Sequence, residues 1–77
     1  MNTDIIIDNI TFTVNIHFNG ELFYVELPRE LSKKHQLPDS FVIQKLLNVY
    51  ESNITAYGIY GLSIFEQVST FLKNDPG

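Results

Sequence analysis

The sequence predicts an α+β fold: an antiparallel β-meander of two or three strands, followed by two main helices packed on one face of the sheet. Three observations carry that expectation. Asn19-Gly20 sits between two runs of alternating apolar and polar residues, a short apolar run, Ile5-Ile6-Ile7, lies just upstream, and two later stretches space their apolar residues as helices do.

Asn followed by Gly accepts the positive φ angles of a two-residue type I′ turn, so Asn19 and Gly20 are expected to close a hairpin. Phe18 then faces Glu21, Ile16 faces Phe23, Val14 faces Val25 and Phe12 faces Leu27. One face of the ladder is apolar throughout, and a one-residue slip would send one strand's apolar set to the other face. Upstream, Ile5 and Ile7 are out of phase with Ile10, Phe12 and Val14. A tight turn at Asp8-Asn9 would restore one apolar face by pairing Ile7 with Ile10 and Ile5 with Phe12, and a β-bulge within one long strand is the alternative.

Pro28 ends the second strand of the hairpin. "PRELSKKHQLP" reads as a short helix with proline in its first turn, Glu30 near its start and Lys33, Lys34 and His35 near its end, where the helix dipole favours cations. Pro38 stops it. After Asp39 or Ser40 as a cap, "FVIQKLLNVYESN" places Ile43, Leu46, Leu47, Tyr50 and Ile54 on one helical face and predicts a helix covering the sheet. Residues 54–61, "ITAYGIYG", alternate like a strand but contain Gly58 and Gly61, so a strand and a loop both stay open. Ser63 and Glu66 form an S-x-x-E capping box ahead of Ile64, Phe65, Val68, Phe71 and Leu72, which predicts a last helix ended by "KNDPG".

Seventy-seven residues with 44% hydrophobic and 18% charged side chains are expected to fold as a single small domain over 1–77. The chain has no cysteine, which excludes a disulfide framework and a thiolate site and fits a reducing, cytoplasmic setting. The first residues carry Asp4 and Asp8 where an export signal would be basic, and no run is long enough to cross a bilayer. The triplets Asn9-Ile10-Thr11 and Asn53-Ile54-Thr55 match a glycosylation acceptor by chance composition. A formal charge of −4 with scattered acids speaks for solubility, against general nucleic-acid affinity and against mimicry of DNA.

No catalytic, metal or cofactor signature stands out, and none is assigned. His17 and His35 have no partners at ligand spacing, no Ser or Thr pairs with a His, and no carboxylate pair is nominated. Gly58-Ile59-Tyr60-Gly61 has the spacing of a loop that lets a nucleic-acid backbone approach, but without a basic residue it reads as a plain turn or the start of a helix. Arg29, Lys33 and Lys34 form the basic cluster. A helix, turn and helix over 29–53 could present it to nucleic acid, but the second helix would expose Gln44, Lys45, Asn48 and Glu51, a nearly neutral face.

The outer face of the hairpin is the more informative surface. It carries Thr11, Thr13, Asn15 and His17 on one strand and Leu22, Tyr24 and Glu26 on the other. His17, Leu22 and Tyr24 combine an imidazole, an aliphatic and an aromatic group, a mix that suits partner contact. Domains of this size rarely gain more than a few kcal/mol from one core, and commonly oligomerise when disulfides and metals are absent. The sequence therefore predicts a small non-enzymatic protein-interaction domain of the regulator, inhibitor or immunity-binder kind. It is expected to be homodimeric, either by sheet-edge pairing or through His17, Leu22 and Tyr24. The alternatives are a nucleic-acid regulator using Arg29, Lys33 and Lys34, and a small-ligand protein with a pocket near Tyr57 and Tyr60.

Overall fold

The computed structural model describes residues 1–74. Its elements run β1 (Asn2–Ile7), β2 (Ile10–Phe18), β3 (Leu22–Glu26), α1 (Arg29–Lys34), β4 (Ser40–Leu46), β5 (Val49–Glu51), a 3-10 turn (Asn53–Ala56) and α2 (Gly58–Asn74). The five strands form one antiparallel sheet in the order β1-β2-β3-β4-β5. The α+β expectation holds, with more strands and a different division of helices.

The first hairpin matches its expected register, with Ile7 opposite Ile10 and Ile5 opposite Phe12. Asp8 and Asn9 both take positive φ, 52° and 65°, as a type I′ turn requires. Ile5, Ile7, Phe12, Val14 and Ile16 therefore share the buried face.

The second hairpin is shifted by two residues from the expected ladder. Ile16 lies opposite Val25 and Phe18 opposite Phe23, whose rings stack with centroids 4.5 Å apart. The turn is Asn19-Gly20-Glu21-Leu22. Gly20, at φ +97°, takes the first central position, and Glu21 is not at positive φ, which suits a type II′ turn with glycine first rather than type I′. The Asn19 side chain decides the difference, since its Oδ1 accepts from the N–H groups of Glu21 (3.0 Å) and Leu22 (2.8 Å). A shift of two keeps every side chain on its expected face, so the apolar pattern could not detect it.

Residues 40–51 are the principal correction. They form β4 and β5, not a helix, and so raise the strand count to five. Phe41 and Ile43 alternate into the core while Val42 and Gln44 point outward. Phe23 pairs with Ile43 and Tyr24 with Val42 across the β3–β4 ladder. β-branched Val42, Ile43 and Val49 suit a pleated surface, and the ladder to β3 overrides the helical spacing. Asp39 and Ser40 accordingly cap no helix: Asp39 Oδ1 accepts from the buried Ser32 hydroxyl at 2.6 Å, and its carbonyl accepts from Leu27 N–H at 2.9 Å.

α1 forms within the expected stretch, but Pro28 is its N-cap rather than part of its first turn, and it ends before Pro38 in a Schellman-type closure, with Gln36 at φ 55° and Leu37 N–H donating to the Ser32 carbonyl at 2.8 Å. Residues 54–61 are neither a strand nor a plain loop. Ser52 Oγ caps the 3-10 turn by accepting from Ile54 N–H, and α2 then begins at Gly58. The Ser63/Glu66 capping box is thus not a cap, because Ser63 lies inside the helix and its Oγ accepts from Gln67 Nε2 at 3.1 Å. Instead of two main helices there is one 17-residue helix, α2, beside the six-residue α1. α2 contributes Ile64, Val68 and Leu72 to the core, and α1 contributes Leu31. The part of the expected "KNDPG" stop that covers 75–77 lies outside the described residues.

Candidate functional site: the outer face of the sheet

Because α2 buries the opposite face, side chains of odd-numbered β2 residues and even-numbered β3 and β4 residues form the outer face. His17, Tyr24 and Val42 stand in one row across three strands, with Leu22, Gln44 and Glu51 in the next and Leu46 opposite Val49 beyond it. His17 and Tyr24 are exposed, Tyr24 to 40%, while Leu22 and Val42 are half-buried. The three residues expected to bind a partner thus share this face. The two-residue shift places His17 opposite Tyr24 instead of Leu22, and Asn15 opposite Glu26 instead of Tyr24. Around the row the surface turns acidic and polar, through Glu26, Glu51 and an Asp4 that accepts from Thr13 Oγ1 at 2.8 Å.

The sheet's edges are protected in two different ways. At β1, the amide of Gln67 from α2 bonds to both the N–H and the carbonyl of Ile6, satisfying one of the positions whose backbone groups face away from β2. At the other edge β5 spans only three residues, too short to template a long ladder.

Tyr57 and Tyr60 line separate hollows. Tyr57 shares one with Tyr24, Pro38 and Val42, extending the outer surface around β4, whereas Tyr60 lines another with Ile6, Asp8 and Ile59. Tyr60 belongs to a cluster that the sequence did not suggest. Its hydroxyl donates to Asp8 Oδ2 at 3.0 Å, its ring stacks on His35 at 3.9 Å, and His35 Nε2 lies 3.9 Å from the same carboxylate oxygen. The hydrogen bond to Asp8, then that residue's negative charge, then burial raise the Tyr60 phenol above its ordinary value of 10.0. The cluster ties the β1–β2 turn to α2 and to the segment after α1.

Arg29, Lys33 and Lys34 are exposed on or around α1. The second helix that a helix-turn-helix would need is replaced by β4 and β5. Among the described residues no group of three or more His, Cys, Asp or Glu side chains could hold a metal ion, and no helix is long and apolar enough to cross a membrane. No protein-family model, curated protein or solved structure matches this chain.

Proposed function

We propose that the protein is a small interaction domain that works by surface occlusion through the outer face of its sheet, and that the first occupant of that face is a second copy of the chain. The observation that carries this reading is the His17–Tyr24–Val42 row with Leu22 beside it, left uncovered by both helices. Tyrosine supplies large contact area at low entropic cost, and the flanking Glu26 and Glu51 give the patch the polar rim of an interface. Of the two modes of self-association, face packing is favoured over edge pairing, because Gln67 blocks the β1 edge at Ile6 and the other edge strand is three residues long.

The absence of cysteine allows a direct test. In a two-fold interface, residues near the axis approach their own copies. His17→Cys, Leu22→Cys and Val42→Cys are therefore compared under mild oxidation with Thr70→Cys on α2. Disulfide-linked dimer forming faster in at least one outer-face variant than in the Thr70 control supports the reading. Equal, slow cross-linking in all four contradicts it.

A further inference from the structure

The opposite, concave face has an opening of its own. Near Leu72 of α2, Phe18, Phe23 and Tyr50 line a cleft of about 430 Å³ together with Met1 and Lys45. Phe18 is 47% exposed although it stacks on Phe23, and the Phe23 and Tyr50 centroids are 6.3 Å apart, so the three rings form one continuous apolar shelf. A cleft of this size falls within the usual range for small-molecule sites, roughly 300–1,000 Å³.

The charge around the shelf is uneven. Lys45 lines the cleft with its Nζ 5.8 Å from the Tyr50 ring centroid, and Lys73, outside the lining, brings its Nζ to 6.0 Å from the same ring, in a protein of net charge −4. Glu21 lines the cleft as well, and its carboxylate disfavours a second anionic group on the ligand. An occupant with one anionic head and an apolar body suits this lining: its carboxylate meets the Lys45 ammonium, with Lys73 adding positive charge from beside the Tyr50 ring, and its hydrocarbon lies on Phe18 and Phe23.

The geometry points to this cleft as a binding site for an apolar monocarboxylate of the medium-chain fatty-acid class. This site stands apart from the outer face and does not depend on it.

The test uses the whole chain and three probes of equal chain length, decanoate, decanol and decylammonium, titrated below their micelle concentrations while amide and aromatic NMR shifts are followed. Decanoate is expected to give saturable shifts at Phe18, Phe23 and Tyr50, with decanol weaker and decylammonium weakest. Lys45→Met and Lys73→Met, each checked for folding by circular dichroism, should each weaken decanoate by about two- to five-fold, as for exposed ion pairs, and leave decanol unchanged. Phe18→Ala should weaken both. The proposal is overturned if decylammonium binds as well as decanoate, if the shifts map elsewhere or do not saturate, or if both folded lysine variants bind decanoate like the wild type.

Discussion

Gln67 closes the sheet edge at Ile6 with both ends of its side-chain amide: Oε1 accepts from the Ile6 N–H at 2.8 Å, and Nε2 donates to the Ile6 carbonyl at 2.9 Å. An open edge strand is a template for indiscriminate pairing, so a glutamine presented from the covering helix does more than add two hydrogen bonds. It blocks one position of the β1 edge against pairing with another strand.

Gln67→Ala is therefore expected to cost about 1–2 kcal/mol, the net worth of two exposed hydrogen bonds to Ile6 and a part-buried one to Ser63. Protection of the Ile6 amide should fall specifically, because the Gln67 carbonyl is its acceptor. Hydrogen exchange resolved by residue checks this, and unchanged Ile6 protection would mean that the bond is not maintained in solution.

Gly61 packs against the Ile54 carbonyl so closely that a Cβ there would overlap it. Gly61→Ala must push α2 away from the 3-10 turn and is expected to cost about 1–3 kcal/mol, the usual range for overpacking. Gly58→Ala meets no neighbour, but it forces a side chain onto a backbone at φ +79° and should cost about 1–2 kcal/mol through strain alone. Thermal unfolding of both variants separates the two causes. In Gly61→Ala the loss should be accompanied by an NMR shift change at Ile54, and in Gly58→Ala Ile54 should be unmoved.

Leu47 occupies the turn between β4 and β5 at φ 58° with 92% of its surface exposed, so it carries backbone strain and contributes little burial. Leu47→Gly exchanges a strain of about 1–2 kcal/mol for a smaller loss in chain entropy. A gain of up to about 1 kcal/mol follows, visible as a rise in melting temperature of a few degrees.

The Tyr60–Asp8 bond gives stability a defined dependence on pH. The folded state holds the Tyr60 phenol above its ordinary value of 10.0, so the unfolded chain loses that proton first as pH rises. The stabilisation is fully present below 10 and is lost as pH climbs through the raised folded value. Urea unfolding of wild type and Tyr60→Phe should differ by a constant amount from neutral pH up to that window and converge within it. A difference that persists at higher pH would mean that the proton held against Asp8 is not its source.

How much of this was legible in the sequence depended on how local the deciding interactions were. The Asp8-Asn9 turn could be read because a phase break between Ile7 and Ile10 has few solutions and both turn residues tolerate positive φ. Asn19-Gly20 marked a hairpin correctly, but the turn type rested on a side-chain bond from Asn19 that leaves no trace in the apolar alternation. Residues 40–51 failed for a different reason. Ile43, Leu46, Leu47 and Tyr50 satisfy helical spacing while Phe41 and Ile43 satisfy a strand, and the choice is made by pairing to Phe23 and Val25, outside the window. Leu47-Asn48 also lacks the composition of a hairpin turn, so nothing divided the segment.

Among the candidate site residues, His17, Leu22 and Tyr24 were placed on one face because strand parity survives a shift of two. Val42 was hidden by the helical reading of its segment. The Asp8–His35–Tyr60 cluster joins groups as far as 52 residues apart and has no local signature.

Self-association through an acidic-rimmed face carries a signature in salt. Two chains of charge −4, each presenting Glu26 and Glu51 around the contact, repel at long range, and screening weakens that repulsion. The dimer should tighten as ionic strength rises, measured by sedimentation at a series of salt concentrations. Dissociation by salt would instead indicate an interface held by ion pairs.

The outer face as a self-association surface is tested most directly by solution mass from light scattering over a wide concentration range, for the wild type and for Tyr24→Asp, with folding of the variant verified by circular dichroism. A concentration-dependent dimer that the folded variant loses is the predicted result. A wild type that stays monomeric throughout, or a dimer that Tyr24→Asp leaves intact, would contradict it.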